Sequence, residues 1–168
     1  ASGGTVTEFA SGLDNPVDIT QGQDGNFYVV EMSGKIQKIA TDGTITEFAS
    51  GLSVPNGITQ GQDGNFYVTE ANSGKVQKVT SDGTVTEFAS GLSDLRSIVE
   101  AQDGNFYVVE LSGKVQKIAP DGTVTEFASG LSGPFSITQG QDGNFYILEV
   151  NAGKVQKVTS DGTVTEFA

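Results

Sequence analysis

The chain has 168 residues, a length that allows one domain. Its 9 basic residues against 21 acidic ones give a net charge of −12 and an isoelectric point near 4.1, which excludes a nucleic-acid partner and disfavours anionic membrane surfaces. Cysteine and histidine are both absent, so disulfides, thiol catalysis, zinc–thiolate sites, the commonest general base and the commonest transition-metal ligand are excluded. Apolar residues other than glycine make up 36%, which with the 23 glycines suits a packed core rather than a disordered chain. No apolar run approaches the roughly 18 residues of a membrane span. The start, ASGG, is no signal peptide and is expected to be a mature end or a cloning remnant.

In chain order, the string G-T-[VI]-T-E-F-A starts at Gly4, Gly43, Gly83, Gly122 and Gly162, at spacings of 39, 40, 39 and 40. Between these strings a longer unit occurs four times: Gln-Asp-Gly-Asn-Phe-Tyr, then Gly-Lys-[VI]-Gln-Lys-[VI]. The repeats run about 4–42, 43–82, 83–121 and 122–161, with an extra outer strand at 162–168. The alternating spacing has a local cause. Met32-Ser33-Gly34 in unit one becomes Ala71-Asn72-Ser73-Gly74 in unit two, and units three and four repeat that difference.

Each unit is predicted to form four short strands. In unit one they are Val17–Thr20 (inner), Asn26–Glu31, Lys35–Ala40 and Thr44–Ala49 (outer), rich in Phe, Tyr, Val, Ile and Thr. Asp42-Gly43 and its equivalents read as two-residue primed hairpin turns, and Asp24-Gly25 marks a second turn. Phe27 and Val29 fall on one face and Tyr28 and Val30 on the other, so each sheet is expected to be covered on both sides. Antiparallel units of about 40 residues with four strands are the signature of a β-propeller, and the fold class is all-β.

Pro-x-x-Ile-Thr, then Asp-Gly-Asn-Phe-Tyr-Val-x-Glu, then Gly-Lys-[VI]-Gln-Lys-[VI] resembles the blade of NHL-repeat propellers and of the virginiamycin B lyase-like propellers. The resemblance covers essentially the whole chain. The near-identity of the copies also resembles propellers designed or reconstructed by duplicating one blade. The resemblance implies a ring of six or more blades. Lyase activity would imply a catalytic His on the propeller face, and this chain has none. The more distant lactonase-type propellers need converging acids and Asn near the channel; here only Asp14, Asn15 and Asp18 gather on one loop. No enzyme, cofactor or metal site is expected.

An open arc of four blades would leave two apolar faces in water. The expected partner is therefore a second copy, giving an eight-bladed ring. Thr5–Ala10 is expected to be an outer strand that competes with Thr163–Ala168 for the clasp. The expected function is a non-catalytic scaffold that self-assembles into a closed ring. The alternatives are a binding module for a protein or glycan and, third, a metal-dependent lyase or lactonase.

The rim with the Asp-Gly turns is nearly identical in all copies, while the opposite rim varies. A ligand surface at the channel mouth would draw on Val17, Asp18, Asn56, Leu95, Arg96 and Phe135. Arg96 is the sole arginine, suited to a bidentate grip on an anion or, alternatively, to a salt bridge with Asp94 or Glu100. Glu31, Glu70, Glu110 and Glu149 end equivalent strands. A cross-strand ion pair with Lys35, Lys75, Lys114 and Lys154 accounts for them, a cation-holding ring being the other reading.

Overall fold

A computed structural model describes residues 3–168. Among these residues there is no helix, and sixteen strands form four antiparallel sheets, each in sequential order. The first sheet holds β1 (Pro16–Gln21), β2 (Phe27–Glu31), β3 (Lys35–Ile39) and β4 (Ile45–Ser50). The second holds β5 (Pro55–Gln60), β6 (Phe66–Glu70), β7 (Lys75–Val79) and β8 (Val85–Ala89). The third holds β9 (Leu95–Glu100), β10 (Phe106–Glu110), β11 (Lys114–Ile118) and β12 (Val124–Ser129). The fourth holds β13 (Pro134–Gln139), β14 (Phe145–Glu149), β15 (Lys154–Val158) and β16 (Val164–Glu166).

The turns differ from the expected primed type. Gly43 donates its N–H to Ala40 and has φ +85°, while Asp42 stays out of the left-handed region. The turn is thus a type I turn followed by a left-handed glycine, in which Asp42 accepts the Thr44 N–H at 2.9 Å. A second need for glycine arises at Gly57. A Cβ there would lie 2.7 Å from the Arg96 carbonyl oxygen, so its absence lets β5 approach β9.

The core lies between blades. Three apolar clusters join the first sheet to the second, the second to the third, and the third to the fourth. Successive inner strands β1, β5, β9 and β13 pack on one another. Each junction contains the same aromatic triad. Tyr28 meets Phe66 at 4.1 Å with Phe48 across both; Tyr67, Phe88 and Phe106 repeat this, as do Tyr107, Phe127 and Phe145. Tilted and edge-to-face pairs of this kind add about 0.5–1.5 kcal/mol beyond the area they bury.

Among the described residues no cluster joins the fourth sheet to the first. The fourth sheet ends in half a triad, Tyr146 with Phe167 at 4.9 Å. The first sheet begins with the ring that would complete such a triad, Phe27, against Phe9 at 5.7 Å, Phe9 standing where the outer-strand Phe stands in the internal triads. Thr5–Ala10 forms no strand, whereas Val164–Glu166 of the competing segment does, because the third strand on which Thr5–Ala10 would pair belongs to a preceding blade that the described residues do not contain. Phe9 nevertheless sits against Gly43 as Phe48 sits against Gly83. The segment thus lies where a preceding blade's outer strand would run.

Candidate functional site

Each inner strand carries a β-bulge near its start. On β1 the register passes from Pro16 opposite Glu31 to Asp18 opposite Val30, leaving Val17 unpaired. Asn56 on β5 and Phe135 on β13 are left over in the same way, and β9 shifts register around Arg96. A bulge re-aims the side chain it carries and is over-represented beside functional sites. Here four bulges bring four different side chains toward the axis.

Together they line a cavity of about 180 Å³ formed by Val17, Asp18, Asn56, Arg96 and Phe135, with Ser97 and Ser136. Five of the six residues singled out from the sequence therefore meet. Leu95 does not: it is 0% exposed and packs in the core between the second and third sheets. An apolar side chain next to the bulged Arg96 points the other way, into that core.

Arg96 makes no salt bridge with Asp94 or Glu100. Glu100 instead accepts the backbone N–H of Gln62 at 2.7 Å, stitching the second sheet to the third. The guanidinium carbon lies 5.9 Å from the Phe135 ring centroid, and the buried Nε has no hydrogen-bond partner. All eight lysines, by contrast, are ion-paired. Arg96 is thus the one basic side chain among the described residues without a carboxylate against it.

Asp18 accepts the N–H groups of Ile19 and Ile58, both at 2.9 Å, and burial pushes its carboxyl up from the ordinary value. Asn56 donates to the Leu95 carbonyl at 3.0 Å, and Asp14 holds the Asn15 amide at 2.9 Å.

The strand-ending glutamates have another task than the one expected. Glu31 is 2% exposed, accepts the Asp14 N–H at 2.8 Å and takes the Gln37 amide at 3.1 Å. Glu70, Glu110 and Glu149 do the same for Ser53, Ser93 and Ser132 with Gln77, Gln116 and Gln156. They latch each blade's incoming connection to its second strand. The expected ion pair with Lys35 is replaced by Lys35–Glu47 at 2.8 Å, repeated by Lys75–Glu87, Lys114–Glu126 and Lys154–Glu166. Glu47 is half exposed, so Lys35 keeps its hydration, whereas pairing with a buried Glu31 would strip it. Nor do the four glutamates make a cation ring: among the described residues no group of three His, Cys, Asp or Glu is placed to hold a metal.

On the opposite rim each Asp of the second turn is a hub. Asp24 accepts from Lys38, Asn26 and Tyr28 at 2.7–2.9 Å, and Lys38, followed by Asn26, holds its carboxyl well below the usual range. Lys38 also lies 5.6 Å from the Tyr28 ring centroid. These hubs fix the turns.

The bulges and the latches escaped the reading of the sequence. A trace of the bulges is present: Leu95 and Ile98 are both buried, three residues apart in one strand, where strict alternation gives two. The invariant Gln37, Gln77, Gln116 and Gln156 were the trace of the latches.

The sequence profile of the virginiamycin B lyase family matches residues 1–168. No curated protein sequence matches the chain. Among solved structures, a catalytically inactive variant of virginiamycin B lyase from Staphylococcus aureus, with quinupristin, is 29% identical at a TM-score of 0.81. That match covers 90% of this chain and 55% of the other. A streptogramin B lyase is 25% identical at 0.79, covering 89% of this chain and 53% of the other. A gluconolactonase from Xanthomonas campestris, at 13% identity and 0.82, covers 92% of this chain and 63% of that one and shares the fold. The chain spans about half the length of the lyases it matches.

Proposed function

The chain belongs to the virginiamycin B lyase family, and on that premise we propose that it is a non-catalytic propeller scaffold, a half ring that closes with a second copy. The observation that carries this is the triad divided between the two ends. One end presents Tyr146 and Phe167 without the ring that a following blade supplies; the other presents that ring, Phe27, with Phe9 lying in the outer-strand place that Phe167 of a second copy would take, so closure requires the Phe9 segment to give way. The three internal junctions support the reading, since each pairs the same kinds of face within one chain.

Aliphatic residues tell the same story. A groove of about 480 Å³ on the first sheet is lined by Phe9, Leu13, Ile19, Val29 and Ile39. Their equivalents in the first internal junction are covered by Val30 and Ile36. The residues that would cover the groove in a second copy, Leu148 and Val155, lie on the opposite end of the arc, where Leu148 is 43% exposed. The two faces are heterologous, so two arcs related by a two-fold axis satisfy both ends.

Two observations support the non-catalytic reading. The chain has no histidine, and every carboxylate repeated in all four copies is engaged in a latch, a turn or an ion pair.

Light scattering on the 168-residue chain tests the reading. The expected mass is twice 17.4 kDa, falling to the single value in Leu148→Lys or Ile19→Lys. Both positions are exposed in the protomer, so these variants keep their fold. A wild-type mass of 17.4 kDa up to the solubility limit, or a ring of any other multiple, overturns the proposal.

A further inference from the structure

We propose that the cavity on the axis is a binding site for a small organic monocarboxylate, held through Arg96 with its apolar body against Phe135 and Val17. In a chain of net charge −12 with every lysine ion-paired, Arg96 stands without an acidic partner. Its buried Nε has no hydrogen-bond partner, so no acceptor of this chain offsets the charge of its guanidinium, which lines the cavity. A carboxylate meets that need because its two oxygens match the guanidinium fork.

The rest of the cavity supplies shape and selection. Phe135 is 49% exposed and Val17 is partly exposed beside it, an apolar wall for an aryl or short alkyl body. Phe135 also lies under the guanidinium, which holds the cation in place without neutralising it. Asp18, anchored by two backbone N–H groups, also lines the cavity, and its carboxyl disfavours a second negative charge on the ligand. A volume of about 180 Å³ suits a molecule the size of benzoate. All four lining strands belong to one chain, so binding is independent of ring closure.

Titration of the folded chain with benzoate and with its neutral isostere benzamide, followed by NMR shifts or calorimetry, tests the site. Benzoate should saturate at millimolar concentrations and bind at least about tenfold more tightly than benzamide. Arg96→Gln should erase that preference, and Phe135→Ala should weaken both probes alike, each variant retaining the wild-type melting temperature. No saturable benzoate binding, equal affinity for the two probes, or an unchanged preference in Arg96→Gln overturns the proposal. Repeating the titration with the Leu148→Lys monomer separates the two ideas, since the site should persist there whether or not the wild type forms a ring.

Discussion

Val109 and Leu148 occupy equivalent positions on the second strand of their blades, yet Val109 is 0% exposed while Leu148 stands open to water. The strands around them pair in the same register. What differs is the neighbour: a following sheet covers Val109, and none covers Leu148. The blade is therefore a hydrogen-bonded unit without a core of its own, and stability is generated at junctions.

Substitution at equivalent positions is the most direct way to break this comparison. Phe106→Ala, inside a junction, should cost about 3–5 kcal/mol in chemical denaturation. Phe27→Ala, at the open end, should cost well under half of that in the Leu148→Lys monomer. In wild type its cost should grow with protein concentration as the end becomes a junction. Equal costs for both residues in the monomer would show that blades are stabilised from within.

The latches sharpen the contrast because they act inside one blade. Glu110→Ala leaves the Ser93 N–H and the Gln116 amide without their acceptor and should cost about 2–3 kcal/mol. Glu149→Ala, in the end blade, should cost the same, since no neighbour takes part. Urea midpoints of the two variants decide it.

Acid should act on all blades evenly. Lys38 holds the Asp24 carboxyl below its ordinary value, so in the folded state it stays charged at a pH where the unfolded chain has taken up a proton. This contribution is complete above about pH 4 and is lost as the pH falls through the depressed value. Asp24→Asn should flatten the acid limb of a pH–stability curve while leaving the neutral-to-alkaline limb parallel to wild type.

The smallest effect is expected at Val54, a β-branched residue at φ +49°. The equivalent position in the fourth blade is Gly133, at φ +62°. Val54→Gly should raise stability by about 1 kcal/mol by relieving that strain, read as a rise in melting temperature.

The sequence showed the blades because turn chemistry and β-branched runs are local and repeated four times. Strand ends such as Lys35 and Glu31 were legible to the residue. Five lining residues of the cavity were legible too, because they are where the copies disagree. The fates of Glu31 and Lys35 were not, because residues facing each other across a hairpin need not share an environment. One goes into the blade and one into water, and only the three-dimensional course of the incoming connection decides which. Leu95 was misplaced because a bulge at Arg96 resets the alternation, and no residue type announces a bulge.

Gly57 has a consequence for assembly beyond its own packing. The missing Cβ lets β5 lie close to the Arg96 carbonyl on β9, so this residue bears on the spacing between the second and third sheets. Two end faces that fit each other head to tail can close or can run on indefinitely, and curvature alone chooses between them. In the proposed half ring, a bulkier residue at that one spot would push the second sheet off the third and alter how the two ends meet.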